Sequence, residues 1–324
     1  MSVWSLIERA FGWSGVVAYH GVGDSPHSPT MHISPGRLHA QLEYLRDHHT
    51  VVPLRELVER WRAGASTRGC VAITFDDAYA GVATHALPIL QTLDLPATVF
   101  VASDYAARGA SYWWDDVERQ RLAHRGGAWC VAPSAVGLSA FPAADEIAMD
   151  RIRSHVIAHF GGRWPHGLSD GGRTIWRALD FQELYRLASD RRIEFGVHTL
   201  SHPALPFLPY SEQVGEIREN FALLRDRLPR VLPVVAYPYG LYNRSTVRAA
   251  REAGMTVGLT MEQRASAEHP NPMLVPRVGG SELRDPQSLA RRLNRALRPA
   301  FIIRSGGPHP RLPIDRIPLA PVQI

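Results

Sequence analysis

The chain has 324 residues, 45% of them hydrophobic, so it can bury a large core and reads as a globular protein. All 36 basic residues are arginine, which excludes Schiff-base lysine chemistry and the lysine of nucleotide-binding phosphate loops. The arginines behind the formal charge of +5 are scattered along the chain, so we expect no nucleic-acid partner.

The N-terminal residues and the apolar runs bear on cellular location. No basic region is followed by a long apolar run and a cleavage site, and no window has the length of a membrane-spanning helix. We therefore expect a cytoplasmic protein without a membrane-spanning segment. Cys70 and Cys130 are too few for a zinc framework, and we expect two buried thiols, with a single disulfide as the alternative.

Seven short runs rich in Val, Ile, Phe and Tyr predict β-strands. They are continuously apolar rather than alternating, which is typical of strands covered on both faces. In chain order the predicted strands cover 16–20, 71–75, 97–101, 194–198, 234–238, 256–260 and 273–278.

Helical patterns lie between these strands. Ser34 followed by Pro35 is typical of an N-cap and a first helical turn. Ser211 and the pair Asp285 and Pro286 open two more patterns, each with apolar residues at three- and four-residue spacing. Alternating strands and helices predict a parallel α/β fold, and seven strands favour a barrel.

Two segments interrupt the alternation. Residues 104–175 are too long for an ordinary connection, and we interpret them as an insertion that caps one face of the barrel. Residues 305–324 are proline-rich and are expected to be extended. The predicted organisation is a single domain over 1–304, with the insertion at about 104–175, followed by the tail.

Charged and imidazole side chains follow the predicted strands. His20 ends the first strand, Asp76 and Asp77 end the second, and His198 ends the fourth, with His202 four residues later. The carboxyl ends of parallel barrel strands form one face, so these side chains are expected to converge there. One carboxylate and two neutral imidazoles make the ligand set of a catalytic metal site, and the second carboxylate is left as a base. The alternatives are a turn or helix cap for the two aspartates and incidental spacing for the two histidines.

The stretch AYPYG, residues 236–240, predicts an irregular exit from the fifth strand. Pro238 and Gly240 force this exit, which can aim a backbone N–H group into the site. Such a donor stabilises a developing oxyanion. The alternative is an ordinary turn.

Three short motifs, TFDD at 74–77, HTLSH at 198–202 and YPYG at 237–240, together resemble the first three motifs of the polysaccharide deacetylases. This is the carbohydrate esterase family with the NodB homology domain, and the resemblance covers about residues 16–280. It implies a distorted (β/α)7 barrel and the metal-assisted hydrolysis of an N-acetyl amide on a sugar or polysaccharide.

The resemblance also implies roles for individual residues. Asp76 is the implied general base, and Asp77, His198 and His202 are the implied metal ligands. The backbone of Tyr239 is implied to help hold the oxyanion.

The chain departs from the family pattern at two places. The family arginine at the start of the third motif is replaced by Ala236, and Arg277 is our candidate for its role. The late Leu-x-His motif of the family is not evident. Instead YHGVGD, residues 19–24, resembles the circularly permuted poly-N-acetylglucosamine deacetylases, in which the strand bearing the acid histidine comes first. His20 is then the implied general acid, and a hydrogen-bonded core histidine is the alternative.

The metal and the substrate contacts follow from the residue types. Imidazole and carboxylate ligands favour Zn²⁺, with Ni²⁺, Co²⁺, Mn²⁺ and Fe²⁺ as alternatives. Trp113, Trp114 and Asp115 are candidates for a sugar-facing wall, and the alternative is that the aromatic pair anchors the insertion. Pro238 and Tyr242 are further candidate substrate contacts.

Two other functions stay open at this point. One is the hydrolysis of small non-glycan amides on the same barrel, and the other is a catalytically silent carbohydrate-binding protein. The sequence leaves open whether the expected N-acetylated saccharide is a polymer, a lipid-linked precursor or a small metabolite.

Overall fold

The structure of the protein is a computed structural model. It describes residues 14–24, 31–116, 156–158, 160–162, 169–170, 174–266 and 270–294. The predicted tail, most of the predicted insertion and Cys130 lie outside the described residues. Cys70 is buried, and the choice between two thiols and one disulfide stays a prediction because Cys130 is not among the described residues.

The described part of the chain contains twelve strands, and most of the longer ones coincide with predicted apolar runs. Their bounds are β1 Gly15–Tyr19, β2 Gly21–Val22, β3 His32–Ile33, β4 Thr50–Val51, β5 Cys70–Phe75, β6 Ala97–Val101, β7 Ala110–Ser111, β8 Ser169–Asp170, β9 Ile193–Val197, β10 Val231–Ala236, β11 Val257–Leu259 and β12 Val278–Gly279.

Eight of these strands form one parallel sheet. Seven of them lie in the order β11, β10, β9, β6, β5, β1 and β12, and β4 pairs with β5 off this path. From β1 to β11, strands that follow each other in the set of seven lie side by side. Val275 also forms a parallel bridge with Leu259 of β11, while β12 pairs with β1. The segment 275–279 therefore joins the two edges of the sheet, and the distorted (β/α)7 barrel that the sequence predicts is confirmed.

The last predicted strand is wrong in its bounds. Of the predicted range 273–278, only the bridge at Val275 and the start of β12 at Val278 have strand pairing. Pro276 lies between them and has no backbone N–H, so a continuous ladder of hydrogen bonds cannot form there. The other six predicted strands agree with the structure within a few residues.

Both faces of the central strand are covered. Val71, Ile73 and Phe75 of β5 pack in one apolar cluster. Cys70 and Ala72, which alternate with them, pack in another. Strands with two buried faces are expected to be apolar throughout, which explains the continuous hydrophobic pattern.

The helices pack around the strands. In the described residues the α-helices cover Pro35–His48, Leu54–Ala63, Leu87–Leu93, Ser103–Ala106, Phe181–Leu187, Tyr210–Arg227, Arg244–Glu252 and Pro286–Asn294. A π-helical turn covers Val82–Ala86, and 3₁₀ turns cover Leu205–Phe207 and Pro238–Gly240. No helix in these described ranges is long and apolar enough to cross a membrane.

Two of the three predicted helix starts are confirmed. Ser34 caps the first helix, and its hydroxyl accepts a hydrogen bond from the backbone N–H of Arg37 at 3.4 Å. Asp285 precedes the last helix, and its carboxylate accepts from the backbone N–H of Ser288 at 2.6 Å. The predicted start at Ser211 is wrong, because the helix begins at Tyr210 directly after Pro209.

The described parts of the insertion contact the carboxyl ends of the barrel strands. The hydroxyl of Tyr112 donates to the backbone carbonyl of Asp77 at 2.8 Å. Gly162 accepts a hydrogen bond from the hydroxyl of Tyr239 at 2.9 Å. These contacts agree with an insertion that caps this face, although the full extent of the cap stays a prediction.

Candidate active site

Five predicted site residues converge at one end of the barrel. His20 follows β1, Asp76 and Asp77 follow β5, and His198 and His202 follow β9. Four of them are buried, whereas His20 keeps 16% of its side chain exposed. The barrel brings them together because the carboxyl ends of its parallel strands share one face.

Asp77 faces both histidines of the second motif. Its Oδ1 lies 3.4 Å from Nε2 of His198 and 3.4 Å from Nε2 of His202. One ligand atom from each of the three residues lies within 4.8 Å of the others. Oδ1 is buried and has no hydrogen-bond partner among the described residues, which would be costly for a carboxylate without a bound cation. These three residues therefore fit a divalent metal ion.

A backbone contact fixes the tautomer of His198. Its Nδ1 lies 2.8 Å from the carbonyl oxygen of Ala236, which can only accept a hydrogen bond. The proton is therefore on Nδ1, and the lone pair on Nε2 faces the ligand cluster. Burial lowers the pKa of His198, but Asp77 and Asp76 outweigh burial and the net pKa is raised above its ordinary value.

His202 lies among aromatic rings. Its ring centroid is 5.9 Å from that of Tyr112, 5.0 Å from that of Trp114 and 4.7 Å from that of Tyr239. Burial lowers the pKa of His202 to about 3, and the charge of Asp77 only partly opposes this. His202 is therefore neutral at physiological pH, as a metal ligand must be.

The two adjacent carboxylates have different partners. Burial raises the pKa of Asp77, but the neighbouring imidazoles of His198 and His202 outweigh it, so the net pKa is lowered. Asp76 is bound by both ends of a guanidinium, with Arg277 Nη1 at 2.7 Å from Oδ1 and Nη2 at 2.6 Å from Oδ2. Burial would raise the pKa of Asp76, but the charge and hydrogen bonds of Arg277 hold it well below its usual range.

Arg277 is completely buried. It also donates from Nε to the carbonyl of Thr260 at 3.3 Å. A residue that takes over from the family arginine missing at Ala236 has to contact the base, and Arg277 contacts Asp76. Its role in tuning the base stays a prediction.

His20 lies beside the two aspartates without a hydrogen bond to them. Its Nε2 is 3.9 Å from Oδ2 of Asp76, and its Nδ1 is buried with no hydrogen-bond partner among the described residues. Burial lowers its pKa, and the opposing charges of Asp76 and Asp77 do not fully compensate. A hydrogen-bonded core histidine, the alternative from sequence, does not match these contacts.

The predicted irregular exit from the fifth strand is confirmed. β10 ends at Ala236, and Tyr239 adopts the left-handed conformation with φ 58° and ψ 7° inside the following turn. This backbone conformation is uncommon for residues other than glycine. Pro238 is buried, and its contact with substrate stays a prediction, as does the oxyanion role of the Tyr239 backbone.

The aromatic pair of the insertion is buried. Trp113 and Trp114 expose only 3% and 4% of their surface. The indole N–H of Trp114 donates to the hydroxyl of Tyr79 at 2.9 Å, and that of Trp113 donates to the hydroxyl of Tyr239 at 3.3 Å. Their burial favours the anchoring role over a sugar-facing wall.

The other two candidate substrate contacts also have internal partners. Asp115 lies 2.7 Å from Nε2 of His32 and accepts a hydrogen bond from the hydroxyl of Tyr79. Tyr242 donates from its hydroxyl to Glu262 at 2.6 Å. Their contact with a sugar stays a prediction.

Sequence reasoning missed three contributors to the site. These are the carbonyl of Ala236, the hydroxyl of Tyr112 and the carboxylate of Glu216, which binds the loop between the two histidines. The position of Glu216 beside the apolar stripe of its helix indicates burial but not the loop that it contacts. Backbone carbonyls leave no signal in a sequence.

Known proteins resemble the chain over most of its length. It is 20% identical to the putative polysaccharide deacetylase YxkH of Bacillus subtilis, over 78% of this chain and 66% of that protein. It is also 20% identical to the poly-beta-1,6-N-acetyl-D-glucosamine N-deacetylase of Staphylococcus aureus, over 76% of this chain and 67% of that protein. The chain therefore spans about two-thirds of the length of these relatives.

A solved structure and a family model agree with these relatives. The structure of IcaB from Ammonifex degensii superposes with a TM-score of 0.57 and 21% identity, over 87% of this chain and 96% of that chain, which supports the barrel fold. The family model named polysaccharide deacetylase matches residues 63–129 and 151–258, more than half of the chain. Because those ranges contain both the aspartate pair and the histidine motif, the chain belongs to the polysaccharide deacetylase family.

Proposed function

We propose that the protein is a metal-dependent hydrolase that removes the N-acetyl group from an N-acetylated sugar, within a polysaccharide or a smaller saccharide. The family supports deacetylation, and the name of the Staphylococcus aureus relative supports an N-acetylglucosamine polymer. The observation that carries the proposal is the buried Oδ1 of Asp77. It faces two imidazole nitrogens at 3.4 Å and has no hydrogen-bond partner among the described residues.

Asp77, His198 and His202 would hold the metal ion. When bound, a divalent cation would lower the pKa of a water molecule to about 7 and polarise the acetyl carbonyl. Three protein ligands leave coordination positions for water and substrate. Zinc is the default metal for these ligand types, with nickel, cobalt, manganese and iron as alternatives.

Asp76 is the proposed general base. Arg277 keeps it ionised and holds both of its oxygens in one orientation, at 2.7 and 2.6 Å. The same pairing lowers the basicity of Asp76, so it would be an effective base only towards a water that a bound cation had made more acidic. The role of Asp76 therefore depends on the metal ligands beside it.

His20 is the proposed general acid. Its side chain is partly exposed, which lets it reach a leaving amine. Because burial lowers its pKa, His20 has to gain a proton, such as the one that the base removes from water, before it can donate one to the amine. The backbone N–H of Tyr239 is the proposed oxyanion donor, and the left-handed φ of 58° at this residue fixes the direction of that group.

Two substitutions separate metal binding from chemistry. Asp77→Ala should abolish both metal binding and acetate release from N-acetylglucosamine oligomers, because it removes the ligand oxygen. Asp76→Asn should keep the metal and lose roughly 10²- to 10⁴-fold in acetate release, because it removes the base and leaves all three metal ligands in place. Since it also leaves the buried Arg277 without its carboxylate, activity is compared per folded protein. Metal content is measured by elemental analysis and acetate by a coupled assay. Full activity of Asp77→Ala would contradict the proposal.

The two alternative functions make different predictions. A hydrolase of small amides would turn over simple N-acetyl amides faster than sugar oligomers, which the same acetate assay compares directly. A silent carbohydrate-binding protein would bind oligomers without releasing acetate. The absence of the family arginine at Ala236 favours the silent protein, whereas the contact of Arg277 with Asp76 supports an active one.

A further inference from the structure

The loop that carries the two histidine ligands has an unusual backbone. Thr199 has φ 67° and His202 has φ 55°, so two residues other than glycine are left-handed within four positions. Conformations of this kind are strained for residues other than glycine and persist only where surrounding groups hold them. The loop is held partly from within, because the Thr199 hydroxyl accepts a hydrogen bond from the backbone N–H of His202 at 3.1 Å, and a contact from outside the loop adds to this.

Glu216 of helix Tyr210–Arg227 makes such a contact. Its Oε2 accepts a hydrogen bond from the backbone N–H of Ser201 at 2.9 Å, and its Oε1 accepts from the Ser201 hydroxyl at 2.6 Å. Its backbone carbonyl accepts from the N–H of Leu200 at 3.0 Å. One buried residue thus binds two consecutive residues that lie between His198 and His202.

Glu216 belongs to a row of buried polar residues on this helix. Gln213 and Asn220 flank it at helical spacing, and both are buried. Gln213 donates to the carbonyl of Leu208 at 2.9 Å, and Asn220 donates to the carbonyl of Val101 at 3.1 Å. The row therefore binds the histidine loop on one side and the end of β6 on the other.

We infer that Glu216 is a positioning residue for the metal site. It holds the 199–202 segment so that Nε2 of His202 faces Oδ1 of Asp77 at 3.4 Å. His198 does not depend on this contact in the same way, because its Nδ1 is bound by Ala236. Without the Glu216 carboxylate the strained segment can relax, and His202 is the ligand that moves away. This inference rests on the metal site of the proposed function.

The test is the affinity of the full chain for Co²⁺, followed by its visible absorption. Glu216→Ala should raise the Kd by about 10- to 100-fold, the usual effect of losing a group that orients a metal ligand. Glu216→Gln should stay within about threefold of the unchanged protein, because an amide can accept from the Ser201 N–H and donate to its hydroxyl. The matched control for Glu216→Ala is Glu219→Ala. Glu219 is an exposed glutamate of the same helix, and its replacement should leave the Kd unchanged.

A second variant covers the case in which Glu216→Ala does not fold. Ser201→Ala removes the hydroxyl contact and keeps the backbone N–H contact, so it should raise the Kd by a smaller factor than Glu216→Ala. A merely structural role would lower the melting temperature of the metal-free protein and leave the Kd of its folded form unchanged.

The outcomes separate this inference from the proposed function. Unchanged affinity in a folded Glu216→Ala or Ser201→Ala protein would overturn the inference, as would a Glu216→Gln protein as weak as Glu216→Ala. A chain that binds Co²⁺ but releases no acetate would overturn the proposed function and leave the affinity test valid. A chain that binds no Co²⁺ at all would overturn both.

Discussion

Two neighbouring aspartates have different chemical environments because the backbone turns sharply between strand and loop. Asp77 has φ 66° and Ala78 has φ 49°, so the chain leaves β5 through two left-handed residues. Asp76 pairs with the buried Arg277, whereas Asp77 faces two imidazoles. Adjacent carboxylates can thus serve as a base and as a ligand.

The buried pair of Asp76 and Arg277 gives a prediction about stability. Arg277→Met leaves a buried carboxylate without its cation, so the free energy of unfolding should fall by about 3–5 kcal/mol. The double variant Asp76→Asn with Arg277→Met has no buried charge at this place and should recover most of the loss. Urea unfolding followed by circular dichroism measures both. Equal stability of the single and double variants would show that the pair does not behave as a desolvated ion pair.

At the residue scale, the sequence predicts the site side chains that directly follow strands better than the residues that hold those side chains in place. His20, Asp76, Asp77 and His198 could be predicted to meet, because parallel strands bring their carboxyl ends to one face. Glu216 could not, because an amphipathic pattern shows which side of a helix is buried but not which loop lies against it. The pairing of Arg277 with Asp76 was suggested by the missing family arginine and not by any pattern of its own.

At the scale of elements, the strand that leads to His198 is held by a close contact. Gly196 of β9 lies against Phe100 of β6, and a Cβ at position 196 would come within 2.3 Å of the phenyl ring. Phe100 in turn lies under the guanidinium of Arg277, whose Cζ is 5.7 Å from the ring centroid. Phe100 therefore lies between β9 and the partner of Asp76.

This contact predicts the effect of a single methyl group. Gly196→Ala should lower the free energy of unfolding by about 1–3 kcal/mol through overpacking, and it should also reduce acetate release because Phe100 shifts. Gly36→Ala is the matched control, since a Cβ there meets nothing within 4 Å. In its helix, the control should be neutral or stabilising by up to about 1 kcal/mol. Chemical denaturation measures the free energy of unfolding of both variants. An equal change in the two would contradict a close contact between position 196 and Phe100.

Element boundaries were predicted less well than element types. The helix that starts at Tyr210 was predicted to open at Ser211, because a serine is a common N-cap. Pro209, with its fixed φ, sets the entry to the helix instead. The last predicted strand ran through Pro276, where the hydrogen-bond ladder is interrupted. In both cases the local conformation of a proline decided the boundary.

At the scale of the whole molecule, closing the barrel and building the site depend on the same segment. Residues 275–279 join β11 to β1, and Arg277 lies within them. His20 follows β1, the strand that pairs with β12 at the end of this segment. Asp76 follows β5, the next strand in the sheet. The base, its arginine and the acid therefore come from three neighbouring strands of the sheet, and the segment that carries the arginine also closes the ring. This explains why residues far apart in the chain form one site.

The folded protein also sets how protons compete with the metal. His198 has a pKa raised above the ordinary 6.5, so it must lose a proton to bind a cation near neutral pH. His202, with a pKa of about 3, and Asp77, with a lowered pKa, are already in their ligand forms. The protein therefore binds the metal ion with full affinity above the raised pKa of His198. This affinity is lost as the pH falls through that pKa.

The slope of this loss identifies the group that titrates. Between about pH 8 and pH 5.5, the logarithm of the Co²⁺ Kd should rise with a limiting slope of about one per pH unit, because one imidazole titrates. Titrations in weakly coordinating buffer measure it. His20→Gln is the control, since it removes a nearby titratable group that is not a ligand and should leave the slope unchanged. A slope near two would mean that His202 takes up a proton as well. The aromatic rings around His202 would then not keep it neutral, and Asp77 would face two cationic imidazoles in the metal-free protein at acidic pH.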